Sequence, residues 1–257
     1  MLALTHVPSP NMDHGQRTHV GRAAIDFGLA VRQHAEYCRV LRDGGADVRV
    51  LEVNRDLPDA TFVEDTAVVF DEVAVLASMG AEARRAELAG IEPELRKYRE
   101  LRRIEAPATI EGGDVLRVGR TLLVGVSCRT NPAGVRALEA IVRRYGYRVR
   151  PVPVRQCLHL KTACTALPDG SLLVNPSWLA MASLPDFDKV PIPEEEPWAA
   201  NTLPIGGTVC IAAEHGHTAD LLRQRGFDVR TARVSEFAKA EGGVTCLSLW
   251  FDSPDRS

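Results

Sequence analysis

The chain has 257 residues, 45% of them hydrophobic, and carries 31 Lys and Arg against 34 Asp and Glu, a formal net charge of −3. This composition is typical of a globular protein and excludes a disordered chain. The near-neutral charge without a basic block, and the 5% of aromatic residues, exclude the usual features of nucleic-acid and anionic-membrane binding.

The cellular compartment is predicted from the N-terminus, the apolar segments and the cysteines. The start, MLALTHVPSP, lacks the basic and long apolar regions of a signal peptide, and no apolar run approaches the roughly 20 residues of a membrane span. The six cysteines are far apart, with no CxxC pair and no zinc-finger spacing. We therefore expect a cytoplasmic protein with no membrane partner, in which most cysteines are small buried hydrophobic residues.

Four apolar hairpins follow one another along the chain, each with a short polar or glycine turn between two strands. They are EDTAVVFDEVAVLAS from Glu64, GGDVLRVGRTLLVGVS from Gly112, KTACTALPDGSLLVNPS from Lys161 and AANTLPIGGTVCIAAE from Ala199. A fifth half-copy, GGVTCLSLWF from Gly242, has no return strand. We expect the N-terminal segment LALTHV to supply that strand and so to close a ring.

Helical segments lie between the hairpins and lead into further short strands. We predict helices over residues 24–43, 81–103, 131–144 and 218–225. Asn131 before a proline is typical of a helix cap, and Thr218 is the expected cap of the last of these helices. The segment 81–103 has a predicted break from Gly90 to Pro93.

The repeating unit is therefore strand, strand, helix, strand, and five such units account for the chain. Self-similarity at a nearly fixed period is a strong indication of architecture. We predict one α/β domain over residues 1–257. The alternative is an ordinary α/β sandwich in which the hairpins recur by coincidence.

Polar side chains at the hairpin entrances would meet at the axis of such a ring. The entrances carry Glu64, Asp65, Glu111, Asp114, His159 and Cys246. Cys246 offers a nucleophile, His159 a general acid and base, and Glu111 is best placed to orient the imidazole. Together they predict covalent catalysis by a cysteine.

Each of these residues also has a purely structural interpretation. Cys246 is then a core cysteine, His159 a strand histidine with its bonds satisfied, and the acids belong to turns. A further alternative is a metal site at Cys210, His215 and His217, although surface histidines next to a helix cap are the favoured interpretation of that cluster.

Longer motifs carry a resemblance to a known family. They are PDATFVEDTAVV (58–69), RIEAPATIEGGDVLRVG (103–119), RTNPAG (129–134), LHLKTA (158–163), IPEEEPWAAN (192–201) and SEFAKAEGGVTCLSL (235–249). The chain resembles bacterial dimethylarginine dimethylaminohydrolases, of the guanidine-modifying or pentein superfamily, from about residue 20 onward. The resemblance implies a pentein fold, a five-fold pseudosymmetric α/β propeller of ββαβ units around a central active site.

The resemblance also implies a role for individual residues. Cys246 is then the nucleophile, His159 the proton donor and base, and Glu111 the residue that orients His159. The implied substrate-binding residues are Glu64 and Asp65 at the guanidinium, Asp59 near the polar head of the amino acid, Arg84 and Arg129 at its carboxylate, and Ala240 through its backbone carbonyl. Paired carboxylates suit a planar cation, and arginines suit a carboxylate.

The implied reaction converts methylated arginines to L-citrulline and an alkylamine through a thiouronium intermediate, with no cofactor and no metal. The expected partner is this small substrate, and the chain is expected to be a monomer or a homodimer. Residues 8–18 match the family poorly, and in the family this loop covers the substrate. The departure puts in doubt the preference for methylated over unmethylated arginine.

Three alternative functions remain open. Two are enzymes of the same fold, an arginine deiminase-like hydrolase and an amidinotransferase, although arginine deiminases are longer and carry an inserted helical region. The third is a non-catalytic ring that binds ribosomal subunits, for which the chain lacks a strongly charged surface.

Overall fold

The strands of the protein form five separate three-stranded sheets, one for each predicted repeat. The computed structural model describes residues 1–184 and 186–253, so part of the predicted domain over residues 1–257 lies outside the described residues. The strands are β1 (Leu2–His6), β2 (Asp47–Leu51), β3 (Ala67–Val69), β4 (Ala74–Leu76), β5 (Leu101–Arg103), β6 (Val115–Val118), β7 (Thr121–Val126), β8 (Arg148–Pro153), β9 (Cys164–Ala166), β10 (Leu172–Val174), β11 (Lys189–Pro191), β12 (Thr202–Ile205), β13 (Thr208–Ala212), β14 (Asp228–Ala232) and β15 (Ser248–Phe251).

All five sheets share one pairing pattern. Two strands form an antiparallel hairpin, and a third strand runs parallel to the second one, as in β6-β7-β8 and β12-β13-β14. In the remaining sheet, β15 is antiparallel to β1, with Leu249 opposite Leu4, and β1 is parallel to β2. The prediction that the start of the chain supplies the missing partner of the fifth half-copy is confirmed.

Glycines set the tightest hairpin turns. Gly206 and Gly207 are the two residues between β12 and β13, with φ of 54° and 92°. Positive φ at both turn positions matches the twist of the flanking strands and costs little for a residue without a Cβ. The predicted turn at these residues is confirmed.

Helices connect the second and third strands of four units. They are α1 (Phe27–Asp43), α2 (Glu87–Leu95), α3 (Pro132–Val142), α4 (Leu160–Ala163), α5 (Gly216–Gln224) and α6 (Ser235–Ala238), of which α4 and α6 are single turns outside those connections. Asn131 caps α3, as predicted, because its side chain accepts a hydrogen bond from the N–H of Gly134 at 2.8 Å. No helix among the described residues has the length and apolar character needed to cross a membrane.

Three predicted helix details are wrong. The α-helix predicted over residues 81–103 spans only Glu87–Leu95, and Leu101–Arg103 form strand β5 instead. Helix α2 continues through Gly90 and Pro93, since it is anchored in the core by Ile91 and Leu95, both fully buried, which outweighs the missing N–H of the proline. Helix α5 begins before Thr218, whose N–H and hydroxyl are both bound by the carboxylate of Glu196 from a distant segment.

The fourth unit departs from the repeat. Between β10 and β11, the described residues form a 3₁₀ turn, Met181–Ser183, where the other units have an α-helix. The architecture is therefore five sheets of ββαβ-like units.

Apolar clusters between sheets and helices make up the core. Under α3, for example, Leu138 and Val142 pack with Val124 and Tyr147, and all four are nearly or fully buried. Burial of one such leucine contributes about 2 kcal/mol. The first strands of several units also contact one another, β3 with β15 and β9 with both β6 and β12, which brings the segments ahead of them together.

Candidate functional site

Five short segments, each ahead of the first strand of a unit, carry the polar residues of the site. They are the 3₁₀ turn Val63–Thr66, Glu111 with the 3₁₀ turn Gly112–Asp114, His159 at the start of α4, Asn201 and Cys246. A cavity of about 20 Å³ lies among them. Seven of the nine residues predicted for the site line it, namely Asp59, Asp65, Arg84, Arg129, His159, Ala240 and Cys246.

His159 is held between two carboxylates. Its Nε2 lies 2.8 Å from Oε2 of Glu111, and its Nδ1 lies 3.7 Å from Oδ1 of Asp65. Glu111, which is fully buried behind the imidazole, also accepts the N–H of Gly80 at 3.0 Å through Oε1. The prediction that Glu111 lies where it orients His159 agrees with this geometry.

The charges around His159 decide its protonation. Burial alone lowers the pKa of the imidazole, but the charges of Asp65, Glu111 and Asp114 and the hydrogen bond to Glu111 outweigh it and raise the pKa to about 9. For Glu111 the effects are reversed: burial alone raises the pKa of the carboxyl, but the hydrogen bond and charge of His159 outweigh it and lower the pKa to about 2. The pair is therefore an imidazolium and a carboxylate at neutral pH.

The thiol of Cys246 lies at the end of a glycine-rich turn and is 9% exposed. Burial, reinforced by the charges of Glu64 and Asp65, raises its pKa to about 12, although the N–H of Gly243 points at Sγ from 3.4 Å. The group is therefore a thiol at neutral pH until a positive charge arrives beside it.

Glu64 is directed away from the small cavity. Its Oε1 accepts a hydrogen bond from Lys161 at 2.5 Å, its Oε2 accepts one from the hydroxyl of Thr245 at 2.8 Å, and burial raises the pKa of the carboxyl. Glu64, Lys161 and Thr245 line a second, larger cavity of about 500 Å³. The structure thus brings Glu64 close to Cys246, whose carbonyl accepts its N–H at 3.3 Å, without placing it in the lining of the small cavity.

Arg84 is buried and committed mainly to protein partners. It donates to Asp65 at 2.5 Å, to both oxygens of Glu87 at 2.9 Å and to the carbonyl of Phe62 at 3.1 Å. Within the described residues these bonds use four of the five guanidinium N–H groups and leave one on Nη1. Arg84 therefore fixes the orientation of Asp65 and retains one donor for another acceptor.

Arg129 lines the same cavity and makes fewer side-chain bonds to acidic residues than Arg84 does. Its one side-chain contact with an acid is a 3.5 Å ion pair from Nη1 to Glu111, within the part of the chain that the structure describes. Its backbone is packed so closely against Gly80 that a Cβ there would lie 2.8 Å from the Cα of Arg129. The position of Arg129 is therefore fixed while most of its guanidinium remains open to the cavity.

Asp59 closes the opposite side of the cavity. Its two carboxylate oxygens accept the N–H of Gln16 at 3.2 and 3.0 Å, and burial raises its pKa. Gly15 comes so close that a Cβ would overlap Oδ1 of Asp59. The segment that matches the family poorly thus lies directly over the predicted site.

Two clusters of possible metal ligands lie in or near the predicted site residues. Within residues 1–184 and 186–253, three His, Cys, Asp or Glu side chains bring their ligand atoms within 4.8 Å of one another only at Asp65, Glu111 and His159. The His159 side chain is protonated at neutral pH, and Arg84 and Arg129 lie beside the acids, so this group is a charged hydrogen-bond network rather than a vacant ligand set. The alternative cluster around Cys210 is dispersed, since Cys210 is buried in the core.

Sequence reasoning missed two residues of this region. Asn201 donates to Thr245 and to the carbonyl of Lys161, both at 2.9 Å, and occupies the entrance of the one unit for which no polar residue was predicted. The repeat predicts a polar residue at this entrance, and that pattern identifies Asn201. Glu241 also lines the small cavity, and its only signal was its place between two predicted features, Ala240 and the glycine pair.

Comparison with known proteins gives an independent identification. A family model described as N,N dimethylarginine dimethylhydrolase, eukaryotic, matches residues 10–165. The chain is 42% identical over 250 residues to N(G),N(G)-dimethylarginine dimethylaminohydrolase of Streptomyces coelicolor, covering 96% of this chain and 95% of that protein. It is 34% identical over 236 residues to the protein of the same name from Pseudomonas aeruginosa, covering 91% of this chain and 92% of that protein.

A solved structure gives the same answer for the fold. The mutant dimethylarginine dimethylaminohydrolase from Pseudomonas aeruginosa complexed with citrulline superposes with a TM-score of 0.89 at 34% identity, covering 97% of this chain and 98% of that one. The resemblance seen in the motifs is confirmed: this chain belongs to the dimethylarginine dimethylaminohydrolase family.

Proposed function

We propose that this protein hydrolyses Nω-methylated L-arginines to L-citrulline and methylamine or dimethylamine. The observation that carries the proposal is the meeting of a buried thiol, a protonated histidine and an acid in one cavity of a chain from this family. The relatives from Streptomyces coelicolor and Pseudomonas aeruginosa carry the name of this activity.

The substrate cation supplies the charge that the thiol lacks. In the proposed complex, Asp65 binds the guanidinium by charge-assisted hydrogen bonds, and Glu64 contributes its negative charge from behind Cys246. Arg129 and the remaining donor of Arg84 bind the α-carboxylate, while Asp59 and the carbonyl of Ala240 face the amino group. A guanidinium beside Asp65 offsets the charges that raise the pKa of Cys246 and favours the thiolate, and the thiol proton passes to solvent because His159 is already protonated.

The chemistry then proceeds in two halves. The thiolate of Cys246 forms a bond to the guanidinium carbon, and His159 protonates the methylated nitrogen so that the C–N bond breaks and the amine leaves. The neutral His159 next removes a proton from water, and the resulting hydroxide attacks the thiouronium carbon. The C–S bond breaks, the hydroxyl proton of the adduct passes to solvent as the ureido C=O forms, and the thiolate of Cys246 is restored.

We also propose that the five units close into one five-bladed propeller, a single domain around this site. The antiparallel pairing of β15 with β1 and the contacts among the first strands support closure. The partner that we propose for this site is the small-molecule substrate, a methylated arginine.

The test is citrulline formation from asymmetric dimethylarginine, monomethylarginine and arginine, measured on the parent protein and on Cys246→Ser. We expect turnover of the methylated substrates that Cys246→Ser loses by at least about 10³-fold, because a serine hydroxyl is a far weaker nucleophile. Cys38→Ser, a buried cysteine on α1, is the matched control and keeps its activity. Turnover of arginine alone would favour a deiminase-like function, and activity surviving in Cys246→Ser would refute the assigned nucleophile.

A further inference from the structure

One carboxylate outside the assigned catalytic set holds the loop that covers the cavity. Glu241 accepts three consecutive backbone N–H groups, from Thr18 at 2.9 Å, from His19 and from Val20 at 3.0 Å. A carboxylate that binds three N–H groups in a row fixes the path of that backbone far more firmly than a side-chain contact would. We call residues 15–20 the covering loop.

The backbone of Glu241 is itself held in an uncommon conformation. Its φ is 64°, in the left-handed region that a residue with a long side chain rarely adopts. It lies between Ala240 and Gly242, which both line the small cavity. Strain of this kind persists only where surrounding contacts enforce it, and it directs the carboxylate of Glu241 toward the covering loop.

The covering loop is attached at both ends, and in the free protein it closes a small cavity that widens when the loop encloses substrate. Asp59 holds Gln16, Glu241 holds Thr18 to Val20, and the cavity beneath is about 20 Å³. That volume admits a water molecule, whereas sites for small organic ligands measure about 300 Å³ or more. The attached state also has a cost, since Nε of Arg17 is buried without a partner among the described residues. The hydrogen bonds to Asp59 and Glu241 thus favour the attached loop, and the unpartnered Nε of Arg17 favours its release.

We infer that Glu241 is a positioning residue of the reaction, a latch whose carboxylate holds the backbone of residues 18–20 over the cavity and whose release admits substrate and frees product. The inference rests on the proposed function for its substrate. Through Ala240 the same residue links the position of the covering loop to the carbonyl that faces the substrate's amino group. Neutralising Glu241 therefore favours the open loop and weakens retention of the substrate.

The covering loop carries its own reporter of opening, because trypsin cleaves after Arg17. The side chain of Arg17 is 2% exposed while the loop is attached. We expect Glu241→Gln to be cut after Arg17 at least about tenfold faster than the parent, because cleavage there follows the population of the open form. Saturating L-citrulline slows cleavage of the parent. In the same preparation, KM for asymmetric dimethylarginine rises at least fivefold while kcat changes less than twofold.

Two further variants keep the experiment decisive. Glu241→Asn and Glu241→Asp differ only in charge and suit the positive φ, so a folding defect in Glu241→Gln does not end the test. We expect the asparagine variant to behave like glutamine and the aspartate variant to recover part of the attachment. Glu196→Gln, which replaces a carboxylate that binds two N–H groups elsewhere, is the matched control and is cut at the parental rate.

The outcomes separate this inference from the proposed function. Equal cleavage rates and equal KM in the parent, Glu241→Gln and Glu241→Asn would overturn the latch. A loss of kcat with unchanged cleavage would assign Glu241 to the chemical step instead. Because proteolysis needs no turnover, a parent without activity on any methylated arginine would refute the proposed function and leave the cleavage result valid for the latch.

Discussion

Replacing Glu111 by glutamine tests the proposed source of acid catalysis. Glutamine keeps an acceptor oxygen for Nε2 of His159 but removes the negative charge that lies 2.8 Å away. The pKa of His159 is raised to about 9, against 6.5 for an ordinary histidine. A charge-assisted hydrogen bond exceeds a neutral one by about 1–2 kcal/mol, and 1.36 kcal/mol corresponds to a tenfold change in the proton-binding constant, so we expect the pKa of His159 to fall by about one unit.

The sign of the effect on activity follows from the role of the protonated imidazole. His159 donates a proton to the departing amine, so activity is lost as pH rises through the pKa of His159. Lowering that pKa moves the alkaline loss of kcat, which reports the substrate complex in which Cys246 is already a thiolate, to lower pH by about one unit. Asp65 and Asp114 remain in Glu111→Gln, so the pKa stays above that of an ordinary histidine.

The measurement is an NMR titration of the His159 ring, identified by the signal that disappears in His159→Asn, together with kcat between pH 6 and 10.5. Glu105→Gln, an exposed carboxylate in the segment between β5 and Glu111, is the control and leaves the titration unchanged. A His159 pKa in Glu111→Gln within about 0.3 unit of the parental value would refute the argument that this charge sustains the imidazolium.

Two further substitutions have effects that the structure fixes in direction. His34 is 5% exposed, and burial, with the nearby charges of His6 and Arg42, lowers its pKa to about 4. Between pH 6.5 and 4 the unfolded chain therefore binds a proton at His34 that the folded chain does not bind, and about 3 kcal/mol of the free energy of unfolding is lost over this range. In urea denaturation, we expect the free energy of unfolding of His34→Leu to fall by about 3 kcal/mol less than that of the parent over the same pH range. Gly15→Ala places a methyl group against Asp59 and displaces its bond to Gln16, so we expect KM to rise roughly tenfold, the equivalent of one charge-assisted hydrogen bond. An unchanged KM in a folded Gly15→Ala protein would contradict this role of the close approach.

Much of the architecture follows from local patterns. Turn pairs such as Gly206-Gly207 and the cap at Asn131 act through bonds within a few residues, and so the sequence predicts them correctly. The start of α5 was wrong because Glu196, 22 positions before Thr218, supplies the bonds. The break at Pro93 was wrong because tertiary packing of Ile91 overrides local propensity.

The candidate site divides in the same way. Cys246, His159 and Glu111 were predicted from equivalent places in the repeat, and the structure places them together. The hydrogen bonds from Arg84 to Asp65 and from the covering loop to Glu241 join segments that are distant in the chain. No motif or spacing in the sequence predicts these contacts.

The pairing of β15 with β1 also governs when the nucleophile becomes competent during folding. Leu249 and Leu4 are paired although nearly the whole chain lies between them, and Cys246 is only two residues ahead of β15. Contacts of such long sequence separation form slowly, after the local hairpins. During refolding we therefore expect recovery of activity to trail recovery of secondary structure, because the segment that carries Cys246 is held in place only once this pairing has formed.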